Sequence, residues 1–117
     1  MVINSTVIEN VRKEYGEAFY LLDSEQFRTN FMELKEAFSS IYPNFNIAYS
    51  YKTNYTPKFC KIVNELGGYA EVVSEMEMEP ALRCGVDHSR IIWNGPIKDK
   101  ERMSEFLLAG GTVNIDS

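Results

Sequence analysis

Positive charge, histidine, cysteine and long apolar runs are all scarce in this chain, and each scarcity removes a class of function. Twelve lysines and arginines stand against seventeen aspartates and glutamates, for a formal net charge of -5 in 117 residues. A chain of that sign lacks the electrostatic footprint that nucleic acid or an anionic membrane surface requires, so neither is an expected partner. No segment approaches the roughly 20 apolar residues that span a bilayer. The N-terminus, "MVINSTVIENVRKEYG", has neither the basic start nor the apolar core of a signal peptide. These absences point to the cytoplasm.

With one histidine and two widely separated cysteines, Cys60 and Cys84, the sequence offers no metal-ligand spacing and no metal is expected. Both cysteines fall on expected helices and read as buried, reduced thiols. His88 lies in the turn "GVDHSR" and reads as an exposed turn residue. Met76, Met78 and Met103 read as core or gap-filling side chains.

What is present is an alternation of strand and helix. Residues 23–38 carry Phe27, Phe31, Leu34 and Phe38 at steps of three and four, with Asp23 and Gln26 in capping-box spacing, which predicts an amphipathic helix. Ahead of it, "AFYLL" (18–22) reads as a short strand. After Pro43 come the strand "FNIAYSY" and a helix from Thr56, with Pro57 at its first position and Gly67-Gly68 as its stop. Strand "YAEVV" leads into a helix opened by Ser74 and Glu77 in S-x-x-E spacing and closed near Gly85. Pro80 falls inside that helix and should bend it. Strand "RIIW" precedes a helix over 99–108 that stops at Gly110-Gly111, and "TVNI" is a fourth strand.

Strand starts near Phe45, Tyr69, Arg90 and Thr112 recur at roughly 22 residues, the length of a compact strand-plus-helix unit. Strands joined this way run parallel with right-handed crossovers, so their carboxyl ends share one face. Lys52, Ser74, Asn94 and Ser117 each follow directly after a strand and so belong to that face, where β/α folds do their chemistry. The fold class is α/β: about four parallel strands of a (β/α)8 TIM-type barrel, preceded by an N-terminal strand and helix. A complete barrel takes about 250 residues. The chain is therefore expected to be the N-terminal part of a longer enzyme, the alternative being an open four-stranded domain whose edges a partner covers.

A lysine at the end of an aromatic strand, "AYSYKTN", raises its own question. Anchored by rigid backbone and shielded by Tyr49 and Tyr51, its amine could be held neutral and attack a carbonyl. The competing reading is a surface lysine that extends its amine into solvent.

Five segments, "YGEAFYLLD", "AYSYKTN", "GGYAEVVSEMEMEPALRCGV", "RIIWNGPIK" and "NIDS", together resemble the N-terminal half of the fold-type III pyridoxal-phosphate enzymes, and most of all the ornithine/diaminopimelate/arginine decarboxylase family, whose barrel has the alanine racemase architecture. The resemblance runs from Tyr15 to Ser117. It implies that Lys52, matching the lysine of a "YAVKAN"-like segment, carries pyridoxal 5'-phosphate covalently, and that the cofactor accepts the electrons released when an amino acid loses its carboxylate. It implies further that Glu71, Ser74 and Asn94 adjoin the cofactor. Glu71 stands where the family's "FDVAS"-like strand has aspartate, which keeps the charge and adds one methylene. Ser74 and Glu77 are equally explained as a helix cap. Asn94 opens a "GPxK"-type loop.

The implied substrate is a small amino acid, with diaminopimelate leading and ornithine, arginine or carboxynorspermidine behind it; a non-catalytic pyridoxal-phosphate-binding barrel protein is the other reading. Residues 1–23 would be a segment and strand that pair with a separate β domain, and 24–117 the first half of the cofactor-binding barrel. On this resemblance the full-length enzyme is a homodimer, and the 117 residues alone are expected to be inactive.

Overall fold

The computed structural model describes residues 3–115. Its elements are α1 (Ser5–Tyr15), α2 (Ser24–Ser39), β1 (Ala48–Ser50), α3 (Pro57–Glu65), β2 (Tyr69–Val72), α4 (Glu75–Arg83), β3 (Ile91–Trp93), α5 (Lys100–Leu108) and β4 (Thr112–Val113), with one 3-10 turn, His88–Arg90, ahead of β3. The four strands form one sheet in the order β1-β2-β3-β4, and every neighbouring pair is parallel. The alternation read from the sequence is therefore the fold.

Local chemistry sets the helix ends. The Asp23 carboxylate accepts the Gln26 N–H at 3.0 Å to open α2, and Asp99 accepts two amides, of Glu101 and Arg102, to open α5. At α4 the Ser74 hydroxyl accepts the Glu77 N–H while the Glu77 carboxylate reaches back to the Val73 N–H at 2.9 Å. Each cap satisfies amides that the first helical turn cannot pair internally. Pro57 starts α3 where its missing N–H costs nothing. Pro80 does lie inside α4. The carbonyl that it deprives of a bond belongs to Met76, a residue exposed to water, so the helix continues past it.

Side-chain alternation along the strands separates two faces. Tyr51, Ala70, Val72, Ile91 and Trp93 turn to the helices and, with Cys60, Ala81, Val86 and Phe106, make the core. Trp93 is 1 % exposed and meets Phe106 edge-on at 5.7 Å. Phe27 of α2 stacks on Phe59 of α3 at 4.3 Å and meets Tyr49 edge-on at 5.8 Å, which ties α2 to the edge strand. The opposite face carries Ser50, Glu71 and Ile92, which the register sets side by side on successive strands.

Several expectations are corrected. Residues 18–22 form no strand among the described residues: a strand needs a neighbour's ladder, and no described segment pairs with this one to provide it. Helix α1, not anticipated, precedes it, opened by the Asn4 side chain accepting the Val7 N–H at 3.0 Å. His88 is half-buried rather than exposed, with its ring 6.0 Å from that of Phe106. Met76 is exposed, whereas Met78 and Met103 do pack against the core. Cys60 is fully buried in α3, and Cys84 is half-buried just beyond α4. Ser117 lies outside the described residues.

Candidate active site

Beyond each strand the ladder runs on by one residue. Tyr51 N–H donates to the Glu71 carbonyl at 2.9 Å, Asn94 N–H to the Val72 carbonyl at 2.7 Å and Asn114 N–H to the Trp93 carbonyl at 3.1 Å. Residues just past the strands are thereby held at one end of the sheet as firmly as the strands themselves. Lys52 is the next residue after Tyr51, in an exposed turn at the carboxyl end of β1. Among the described residues no side chain pairs with it.

The shielding expected of Tyr49 and Tyr51 is not what the structure has. Tyr51 is 1 % exposed and turns into the core beside Cys60, and Tyr49 packs on Phe27 of α2. Adjacent strand residues point to opposite faces, so neither ring can cover the residue that follows Tyr51 on the other side. Burial pushes the Tyr51 phenol far above its ordinary value, and a hydrogen bond shared with the Cys60 thiol adds to the effect. Burial likewise raises the Cys60 thiol. Both groups are core acids held neutral, remote from any role as bases.

On the face opposite the helices the structure joins Glu71 to Asn94. The Asn94 amide nitrogen donates to a Glu71 carboxylate oxygen at 2.9 Å, and the Asn114 amide nitrogen donates to the Asn94 amide oxygen at 2.8 Å. A charge-assisted bond of this kind, half-buried, fixes a carboxylate better than solvent does. Gly95 makes the arrangement possible. Its φ is +92°, and a Cβ there would stand 2.5 Å from the Val73 carbonyl oxygen, so the chain after Asn94 crosses the end of β2 only because no side chain is present.

Of the four residues singled out from the sequence, Glu71 and Asn94 are therefore in contact, and Lys52 lies at the same end of the sheet on the adjacent strand. Ser74 is engaged as the cap of α4. Two neighbours went unnoticed in the sequence. Asn114 follows β4 as Asn94 follows β3, a repeat visible only once the register is known. Ser50 is the register partner of Glu71, and its hydroxyl oxygen is buried without a hydrogen-bond partner. A cleft of about 750 Å³, lined by Thr53, Asn54, Tyr55, Lys61, Arg83 and Cys84 among others, opens beside the turn after β1. It includes none of Lys52, Glu71 or Asn94, so it is separate from this cluster.

A parallel β/α sheet that gathers a lysine and a held carboxylate at the carboxyl end of adjacent strands places the chain in the class of β/α-barrel folds, whose sites form at that end of the sheet. Residues 25–117 match the family described as pyridoxal-dependent decarboxylase, pyridoxal binding domain. The chain belongs to that family, and pyridoxal phosphate is the cofactor that goes with it. It is 33 % identical over 104 residues to the diaminopimelate decarboxylase of Methanothermobacter thermautotrophicus, covering 89 % of this chain and 24 % of that protein. It is 27 % identical over 93 residues to the chloroplastic ornithine decarboxylase of Nicotiana glauca, covering 80 % of this chain and 21 % of that one. Among solved structures, diaminopimelate decarboxylase from Helicobacter pylori complexed with L-lysine superposes with a TM-score of 0.82 at 26 % identity, over 93 % of this chain and 27 % of that one. The chain spans about a quarter of the length of the curated relatives it matches.

The residues present fit the cofactor. A lysine amine open to solvent can reach an aldehyde, and the buried Ser50 hydroxyl, on the same face of the sheet as Glu71, has no hydrogen-bond partner among the described residues.

Proposed function

We propose that this chain is the lysine-bearing part of a pyridoxal-phosphate-dependent amino-acid decarboxylase, with diaminopimelate as its substrate. The observation that carries the reading is the position of Lys52, exposed at the carboxyl end of β1, next to a strand whose carboxylate is held by Asn94. Similarity to diaminopimelate decarboxylases from archaea and bacteria supports this substrate. Similarity to an ornithine decarboxylase keeps ornithine as an alternative, and arginine and carboxynorspermidine stand behind it on the family resemblance.

Lys52 would hold the cofactor covalently, give way to the substrate amine, and return as product leaves. Glu71 and Asn94 would bind at the cofactor's edge, and Ser74 would seat the first turn of α4 beside it. Pyridoxal phosphate, when bound, provides the electron sink that lets a carboxylate depart as carbon dioxide. The chain's own residues have simpler tasks: to anchor, to orient through a fixed carboxylate, and to keep one end of the sheet open to a small substrate.

In this reading residues 24–117 are the first half of the cofactor-binding barrel, and 1–23 pair with a β domain. Tyr20, 97 % exposed, together with the exposed Leu21 and Leu22, gives that segment an apolar surface suited to such a contact. The rest of a family-length protein contributes the groups that read the substrate side chain, the enzyme works as a homodimer in the cytoplasm, and these 117 residues alone do not turn over substrate. The test is decarboxylation of diaminopimelate, ornithine, arginine and carboxynorspermidine by the family-length protein and its Lys52→Ala variant. Loss of roughly a thousandfold or more in kcat/KM supports the reading; full activity in the variant refutes it, and a protein that binds the cofactor but decarboxylates none of diaminopimelate, ornithine, arginine and carboxynorspermidine belongs to the non-catalytic barrel class instead.

A further inference from the structure

The three polar side chains that cross the open face form a line with a direction. Asn114 donates to Asn94, and Asn94 donates to Glu71. Asn94 uses the oxygen of its amide toward Asn114 and the nitrogen toward the carboxylate, so both ends are occupied. A carboxylate only accepts, so the orientation of Asn94 is dictated from the Glu71 side, and Asn114 must then present its own nitrogen. If Asn94 flipped, its oxygen would face a carboxylate oxygen and its amine the amine of Asn114. Among the described residues nothing bonds the other oxygen of Glu71.

We infer that Asn114, acting through Asn94, is a positioning residue that locks Glu71 in one orientation with its second oxygen presented to the cofactor on Lys52. This rests on the reading above. It assigns a role to Asn114, which the sequence alone did not single out and which touches neither Lys52 nor Glu71. The chain of amides spans three strands, β2 through β4, so the position of β4 is transmitted to a carboxylate on β2. Each bond in the line polarises the next, which makes the arrangement more than the sum of two contacts.

The direction of the line gives a test that does not depend on the cofactor. Asn114→Asp replaces a donor with an acceptor of the same shape at an exposed position, so the fold tolerates it. With Glu71 present, one end of the Asn94 amide must then face an oxygen, and the folded-to-unfolded ratio in urea should fall by roughly tenfold. In a Glu71→Gln background the whole line can reverse, the introduced glutamine donating to Asn94 and Asn94 donating to the introduced aspartate, and the same substitution should change the ratio by less than about twofold. Thr112→Asp, on the same strand and face, adds the same charge outside the line and measures plain repulsion from Glu71. Coupling for position 114 well beyond that for 112 supports the relay. Equal costs of Asn114→Asp in both backgrounds, or coupling no larger than for Thr112→Asp, overturn it.

The functional half is read separately, as the rate at which pyridoxal phosphate bound to the Glu71 protein is lost on dilution, with and without Asn114→Asp. A loss rate raised roughly three- to tenfold, with Lys52 still the attachment site, supports the assignment. An unchanged rate despite the stability coupling overturns the role toward the cofactor. Failure of the parent protein to attach the cofactor at all overturns the reading on which it rests, whatever the urea data give.

Discussion

Replacing Gly95 with alanine tests whether the end of β2 and the loop after β3 are in the close contact from which the site is built. Two costs add at this position. Alanine at φ +92° adopts a left-handed backbone at about 1–2 kcal/mol. Its Cβ would also stand 2.5 Å from the Val73 carbonyl oxygen and 3.2 Å from the Val73 Cβ. That oxygen belongs to backbone at the end of a strand and cannot swing aside, so one chain must shift, at about 1–3 kcal/mol more. Gly110 provides the comparison: φ is +95°, but a Cβ placed there would find its nearest neighbour, Ser89 Cβ, at 3.9 Å, ordinary contact. Gly110→Ala should therefore lose only the conformational part, about 1–2 kcal/mol. Urea unfolding of the two variants, at matched slope, should give a Gly95→Ala loss of about 2–5 kcal/mol, larger than that of Gly110→Ala by at least about 1 kcal/mol. Equal losses would mean that the crossing over β2 is not tight, and the Glu71–Asn94 contact that depends on it would lose its basis.

Three further outcomes follow from particular contacts. Tyr51 and Cys60 have values in the fold raised above the ordinary 10.0 and 9.0. The folded chain thus keeps protons that the unfolded chain releases, and their stabilisation is complete below about pH 9 and declines as pH rises above it, with a slope of up to about 1.4 kcal/mol per pH unit for each group. Thermal melts from neutral to strongly alkaline pH should show this decline, and Tyr51→Phe should reduce it; a flat profile throughout would contradict the buried pair. Ser74→Ala removes the cap of α4 and should cost about 1 kcal/mol by urea unfolding, whereas Ser74→Asp should recover most of it; an alanine variant of unchanged stability would discount the cap. Trp93→Ala empties the centre of the core against Phe106 and should cost about 3–5 kcal/mol, a loss below about 1 kcal/mol being incompatible with its burial.

The repeating strand and helix were legible because their punctuation is local. Asp23, Ser74 and Asp99 cap helices through side chains three residues or fewer from the amides that they satisfy, and Gly67 and Gly110 stop helices at positive φ. Lys52 and Asn94 could be picked out because each follows a strand, whereas Glu71, inside β2, was picked out by the family resemblance alone. The line from Asn94 to Asn114 could not, since nothing in "TVNI" distinguishes a polar residue aligned with its neighbour from one in solvent until the register is fixed. Residues 18–22 have strand composition without a strand, because pairing is a property of two segments and the sequence of one cannot guarantee the other. Helix α1 was not anticipated: "STVIENVRKEY" buries no residue completely, and its opening is set by the Asn4 side chain. Tyr49 and Tyr51 misled by adjacency. Their neighbours in sequence point to the other side of the sheet, and the rings serve the core.

The central claim is that Lys52, among all the lysines, carries the cofactor. The most direct measurement is to incubate the protein with pyridoxal phosphate, reduce with borohydride, digest, and locate the added pyridoxyl mass. The label should fall on the peptide containing Lys52 and be absent in Lys52→Ala, with Lys58, Lys61 and Lys98 unlabelled at stoichiometric cofactor. Label spread evenly over the surface lysines, or retained elsewhere at full yield in Lys52→Ala, would contradict it.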